Sequence, residues 1–482
     1  MSLIITNEIM KDDLKIAWRN LWRNRRRTLI TGSSVFFAVF FAIIMRSYQL
    51  GTYDHMISNV IESYTGHLQV QHIEYHNNPQ VDNSFDYNDS LYHLIKCVEN
   101  VVSVTPHLEF FSLASNGPQT RGVAVIGIDP VKEKMFSNPE NKLVRYRITA
   151  EALSNMKESG IFPETVLWKL EQNKDRSYSS RARLELEIGL PKAETKKYIP
   201  EIIKFCEVPN GFLSVNDDGI LVSDKLARYL KAEIGDTVVL IGHGYHGTSA
   251  AGLFPVRGII KMPAPDLDNK LIMMTISTAQ KFLEAHGKIT SVSINLTDRS
   301  PRTIKKARES INKLMEGTGT TVKTWYELNP VLYQQIQGDS QSGLVMLGVL
   351  YFIIFFGIFG TVIMMVAERK KEFGVLISIG MQKFKLKRII GIEMAMLGTL
   401  GLAGGMVASV PFIIYFFYNP IVLKGSLGKM MEDLGWDAVM PAKWFGPYFY
   451  IQSVIVAVMI FIATLYPFRK INKLKEVEAL KG

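Results

Sequence analysis

Apolar positions along this chain fall into two regimes. In four windows, residues 29–45, 344–367, 389–418 and about 445–468, they run almost without charge. Each window approaches or exceeds the roughly 20 residues that a helix needs to cross a bilayer core. Elsewhere the apolar positions recur at short period. HLQVQHI (67–73), GVAVIGI (122–128) and VSINLT (292–297) alternate as half-buried strands do, and DTVVLIG (236–242) is a continuous β-rich run. SDKLARYLKAEI (223–234), STAQKFLEAHG (277–287) and PRTIKKARESINKLMEG (301–317) repeat at helical spacing. The pattern predicts a membrane α-helical protein with four transmembrane helices and a large mixed α/β domain inserted between helices 1 and 2. Residues 150–205 break the pattern with much charge and no long apolar run, and are expected to form an insertion or flexible subdomain within that domain.

Charge orients the spans. The net +10 of the 482 residues invites a nucleic-acid reading, but it is confined to three short pieces. Residues 1–28, 368–388 and 468–482 together carry +12, which leaves −2 for everything else. Basic residues gathered beside spans mark cytoplasmic loops, so the high charge is a topology signal and nucleic acid is not expected. The expected order is a cytoplasmic interfacial helix (1–28), transmembrane helix 1 (29–48), an extracytoplasmic domain (49–343) and helix 2 (344–367). A cytoplasmic loop (368–388), helix 3 (389–418), a short charge-balanced extracytoplasmic loop (419–444), helix 4 (445–468) and a cytoplasmic tail (469–482) follow. The first span is expected to be an uncleaved anchor, because no small-x-small cleavage site follows it; the next residues are RSYQLGTYDH. Ahead of it, Leu14, Ala17, Trp18, Leu21 and Trp22 recur at helical spacing among Lys15, Arg19, Arg23 and Arg25, as in a helix lying in the membrane interface.

Candidate chemistry is sparse. No G-x-x-x-x-G-K-[ST] phosphate loop is present, so the chain is not expected to bind ATP in that way. The histidines His67, His72, His76, His243 and His246 lack a zinc-protease spacing and are expected to be structural or surface residues. No G-x-S-x-G elbow pairs a nucleophile with a base. Cys97 and Cys206 share the region outside the membrane, where either a disulfide or two unpaired thiols would serve. Glu393 lies about one turn into span 3, where it is expected to reach the interface and favour the helix N-terminus. Gly398, Gly401, Gly404 and Gly405 would let another helix approach span 3 closely, and Gly401-x-x-x-Gly405 has the small-residue packing spacing. With so few charges, the spans do not describe a pathway for ions or polar solutes.

The loop ERKKEFGVLISIG (368–380) carries the most information. Phe373, Leu376 and Ile377 stand at i, i+3 and i+4 on one face of a short helix, with Gly380 as its stop. Such a face either rests on lipid or fits a groove on a cytoplasmic partner.

With KFKLKRIIGIEMAMLG behind it, this segment resembles the signature of FtsX-like (MacB-type, type VII) ABC transporter permeases, R-x-x-E-[IF]-G-x-L-[RK]-[AS]-[IL]-G, with a glutamate early in span 3. Arg369, Glu372, Phe373, Gly374, Leu376, Ile379, Gly380 and Glu393 match, while Ile377 stands where the family usually has a basic residue. The tail YPFRKINKLKEVEALKG is similar to the family's ending through Pro467, Glu478, Ala479 and Leu480, with Glu476 and Val477 where a proline is usual. AWRNLWRNRRRT, ILVSDKLARYLKAEIGDTVVLIG, FPVRGIIKMP and ISTAQKFLEA resemble other parts of the family, and VIGIDPVKEK with MISNVIESYTGHLQV resembles its lipoprotein-releasing branch.

The resemblance implies a MacB-like periplasmic core domain, an inner-membrane dimer of identical or paralogous permease chains, and a separate ATPase that holds ATP and Mg. This chain would be no enzyme and would bind no cofactor. Glu368, Arg369, Lys371, Glu372, Phe373, Gly374, Leu376, Ile377 and Gly380 would form the helix that couples to the ATPase. The implied function is extraction of lipoproteins or another lipid-anchored substrate, with a periplasmic chaperone or adaptor as a further partner. Efflux of peptides or amphiphiles, or mechanical activation of a cell-wall hydrolase, are the alternatives.

Overall fold

A computed structural model describes residues 2–423, 425–433 and 438–473. Loop residues Lys424 and Asp437 and the tail residues Glu476 to Leu480 lie outside the described residues. The chain divides into two units, Met1–His55 with Gln334–Ile421 and Val439–Gly482, and Met56–Tyr333 with Val422–Ala438.

The second unit is mixed α/β. Its main sheet has nine strands: β1 (Leu68–His72), β2 (Val101–Asn116), β3 (Gln119–Ile128), β4 (Ile220–Ser223), β5 (Thr237–His243), β6 (Ser249–Ile260), β7 (Leu271–Thr275), β8 (Ser291–Leu296) and β9 (Thr320–Thr324). Their order is β9-β1-β8-β2-β3-β7-β4-β6-β5, and β5 returns to pair with β2, closing six strands into a barrel. The 16-residue β2 makes this possible. Its first half pairs with β8, and further on Leu113 lies between Gly122 of β3 and Ile241 of β5. Leu108, Phe110, Val125, Leu240 and Phe254 fill the barrel. On the β9-β1-β8 extension, Leu68, Val70 and Val292 pack on Ile304, Ala307 and Ile311 of the helix Pro301–Leu314.

The charged stretch expected to be an insertion or a flexible subdomain has a packed core of its own. Helices Ala150–Glu158, Glu164–Gln172, Arg181–Ile188 and Lys192–Cys206 enclose Leu153, Met156, Leu170, Tyr178 and Ile199. Asp224 ties this subdomain to the sheet by accepting from Arg147 at 2.6 Å and Ser177 at 2.7 Å. Cys206 is buried in the subdomain core, Cys97 is exposed, and both are free thiols. His67 is buried, with Nδ1 3.2 Å from Asn295 Oδ1, and burial lowers its pKa.

Among the described residues, four helices are long and apolar enough to cross a membrane, and they make up most of the first unit: Thr28–Val60, Pro330–Glu368, Lys383–Tyr418 and Pro447–Asn472. Each helix outruns the apolar window that predicts it, because helical hydrogen bonding continues into flanking polar residues. Phe37, Phe41, Phe352, Phe356 and Phe461 are exposed, as side chains that meet lipid would be. Ahead of the first span, the helix Ser2–Arg23 buries Ala17 and Leu21 and leaves Trp18 and Trp22 exposed. Its end is fixed by Thr28, whose hydroxyl donates to the Leu21 carbonyl at 2.7 Å.

Candidate functional site

Span 2 ends at Glu368, and a separate helix, Lys370–Ser378, follows at once. Gly380 stops this loop helix at φ +98°, a conformation that a residue with a Cβ adopts only with strain. The amide of Met381 then reaches back to the Leu376 carbonyl at 3.0 Å. These hydrogen bonds make the loop a defined turn before span 3.

The orientation of the loop helix corrects one expectation. Phe373 is 0% exposed and, with Ile377, joins a core that includes Val366, Leu386 and Ile390. Gly374 is buried beside them, and Leu376 packs on the same core. The face expected to meet a partner is thus turned into the chain's own membrane unit. On the outward side lie Lys371, Val375 (43% exposed) and Ile379 (79% exposed), with Phe384 also exposed just beyond. Glu368 and Gly380 are exposed as well.

Arg369 holds the helix in place. Its Nη1 donates to Glu393 Oε2 at 2.8 Å, and its Nε donates to Glu372 Oε2 at 3.2 Å. The guanidinium also lies 5.4 Å from the centre of the Phe373 ring, within cation–π range. Glu393 is only 1% exposed, so it does not reach the interface as its position suggests. A carboxylate so deep is costly alone, and the Arg369 charge compensates it. Glu372 accepts a second guanidinium, Arg23 Nη2 at 2.6 Å, which joins the loop helix to the N-terminal helix. Partial burial would raise the Glu372 pKa, but Arg23 and Arg369 together hold it below the usual carboxylate range. Beside this network Arg388 lies 3.4 Å from the buried Asp13. Arg23, Val375 and Phe384 were not among the sequence-derived candidates. Complementary charge was the only signal for Arg23, and no spacing links it to Glu372.

The glycines of span 3 meet helices of the same chain. A Cβ on Gly401 would stand 2.7 Å from the Val35 Cβ and 3.0 Å from the Gly32 carbonyl oxygen. One on Gly405 would meet the Phe36 carbonyl at 2.7 Å, and one on Gly398 would meet Ile460 at 3.0 Å. Span 3 therefore packs on span 1 through Gly401 and Gly405, and on span 4 through Gly398.

Residues 344–475, which hold the loop helix and the last three spans, match the FtsX-like permease C-terminal family. This segment is an FtsX-like permease domain. The chain is 21% identical over 276 residues to the "Lipoprotein-releasing system transmembrane protein LolC" of Xylella fastidiosa (strain 9a5c), covering 56% of this chain and 66% of that protein. It is 22% identical over 275 residues to the protein of the same name from Neisseria meningitidis serogroup B, covering 54% and 64%. The chain thus spans somewhat less than two thirds of the length of these two relatives. Among solved structures, the periplasmic region of MacB from Actinobacillus actinomycetemcomitans is similar at 11% identity and a TM-score of 0.29, over 57% of this chain and 95% of that one. The chain is thus similar to FtsX-like permeases over residues 344–475, and to proteins named LolC over about half of its length.

Proposed function

We propose that this FtsX-like permease couples ATP hydrolysis by a separate ATPase to motion of its α/β unit, and so extracts lipoproteins or another lipid-anchored substrate from the inner membrane. ATP and Mg sit on the ATPase, and a second permease chain, identical or paralogous, completes the membrane part. Both termini face the cytoplasm and the α/β unit faces the periplasm. The substrate class rests on the printed name of the LolC relatives.

The observation that carries the coupling is the anchoring of the loop helix from within. Phe373 is seated in the membrane core, and Arg369 ties the helix to Glu393 of span 3. A helix held at two points moves with what it is anchored to. The ATPase then docks on the free side, at Lys371, Val375 and Ile379, and its displacement passes to span 3. Gly401 and Gly405 press span 3 on span 1, whose helix runs unbroken from Arg25 to Val60.

Depletion of the chain in its native cells, followed by separation of inner and outer membranes, tests the substrate class. Lipoproteins are expected to accumulate at the inner membrane; normal sorting would overturn the reading.

A further inference from the structure

One face of β1, β8 and β2 is polar and nevertheless covered. Gln69 and Gln71 of β1, Ser291 and Ser293 of β8, and Thr105 and His107 of β2 are all buried. Burying polar groups is unfavourable unless they are paired, and most of these are. His107 Nε2 lies 2.7 Å from Glu133, Thr105 donates to the same carboxylate at 3.1 Å, and Ser293 Oγ lies 3.2 Å from His107 Nδ1. Ser293, His107 and Glu133 stand in the order of a hydrolytic triad. All three are buried, where they satisfy one another's polar groups.

Gln71 is the exception. It is 1% exposed, and its Nε2 has no hydrogen-bond partner. Gln71 lines a cavity of about 170 Å³ together with Glu109, Tyr64 and Tyr75. On Glu109, Oε1 already accepts from Gln69 at 2.9 Å and Ser291 at 2.7 Å, which leaves Oε2 as the open acceptor. No Lys or Arg lines the cavity, and the imidazole at its wall is that of the exposed His76, so no fixed cation neutralises this carboxylate. The Glu109 charge also helps burial hold the Tyr64 and Tyr75 phenols above their usual pKa. An open carboxylate beside a bare amide N–H selects a ligand that brings a positive charge and an oxygen acceptor together. At ~30 Å³ per water, the space suits about six non-hydrogen atoms.

We propose that this cavity of the α/β unit binds a small primary-ammonium compound bearing a carbonyl or hydroxyl oxygen, with the ammonium at Glu109 Oε2 and the oxygen at Gln71 Nε2. The site is independent of the coupling helix and of the substrate assigned above. The Tyr64 and Tyr75 rings, which line the same cavity, would add cation–π attraction to that charge.

The test is calorimetric titration of the full-length protein in detergent with glycinamide, ethanolamine, acetamide and acetate. Glycinamide and ethanolamine are expected to bind with Kd on the order of 1 mM or tighter, within the ceiling for ligands of this size. Acetamide, which lacks the charge, should bind at least about 10-fold more weakly, and acetate should not bind. Glu109→Gln keeps the acceptor that Gln69 and Ser291 use, and should weaken glycinamide at least about 10-fold. Gln71→Leu keeps the volume and removes the free N–H; it should weaken glycinamide several-fold and gives an independent reading if the first variant does not fold. Equal affinity for glycinamide and acetamide would overturn the proposal, as would unchanged affinity in folded Glu109→Gln or Gln71→Leu. Absence of saturable binding by either amine to the wild type would show that the cavity holds water only, which also overturns it.

Discussion

Replacing Glu393 by Gln removes one charge of a pair almost out of contact with water. The Arg369 side chain is 10% exposed and lies 2.8 Å from that carboxylate. Stripping one partner from a buried pair costs about 3–5 kcal/mol, because the other charge stays buried and unpaired. Glu372 still meets Arg369 at 3.2 Å and offsets part of the loss, but it is 46% exposed and water screens it. The lower end, about 3 kcal/mol, is therefore expected, roughly a 150-fold fall in the folding equilibrium constant. Reversible unfolding of the full chain in mixed micelles measures this. A double-mutant cycle with Arg369→Met isolates the pair, with an expected coupling of at least about 2 kcal/mol. If the two substitutions add to within about 0.5 kcal/mol, Arg369 and Glu393 are not coupled and the anchoring of the loop helix is refuted.

Three further outcomes follow from the same geometry. Phe373→Ala should cost about 3–5 kcal/mol, as for a fully buried aromatic, whereas Ile379→Asp should stay within about 0.5 kcal/mol of wild type; equal effects in the same unfolding assay would mean that the helix is turned the other way. Gly401→Ala should destabilise by about 1–3 kcal/mol, because its Cβ has no room beside Val35, while Gly360→Ala, with nothing within 4 Å, should be tolerated. In the α/β unit, burial and the nearby Asp224 carboxylate push Asp268 up to about 6 from 3.8. The native state then holds this proton more tightly than the unfolded state. Its contribution to stability is present below pH 3.8 and is lost as pH rises through about 6, by at most about 3 kcal/mol. Asp268→Asn keeps an acceptor for the Met262 N–H and should flatten that slope in melting curves taken from pH 4 to pH 7; an unchanged slope would assign it to another group.

The sequence makes the four spans legible, because apolar runs of such length have no other stable solution. It also makes the strands at 68–72, 119–128, 237–243 and 291–296 legible through their composition and alternation. Alternation misleads at β1, where Gln69 and Gln71 occupy the positions of a solvent face and are instead buried. What covers a strand comes from distant parts of the chain and leaves no local trace. The same holds for the closure of β2 on β5, which joins Leu113 to Ile241. In the loop helix, Phe373, Val375, Leu376, Ile377 and Ile379 are all apolar, so periodicity supports two faces and cannot choose the buried one. Glu393 finds its partner 24 residues back, at a distance set by the turn between helices and invisible to spacing. The glycine contacts were foreseen as a capacity for close packing, but the sequence did not say that Val35 and Phe36 of the same chain would fill it.

The central claim, that a separate ATPase acts on this chain through the outward side of the loop helix, is tested most directly by affinity purification of the full-length chain from its native cells. An ATP-binding subunit is expected to co-purify with the wild type and with Lys370→Ala. It should be lost with Val375→Asp/Ile379→Asp, while the variant's melting behaviour stays that of the wild type. Undiminished recovery of the ATPase with that folded double variant would contradict the account.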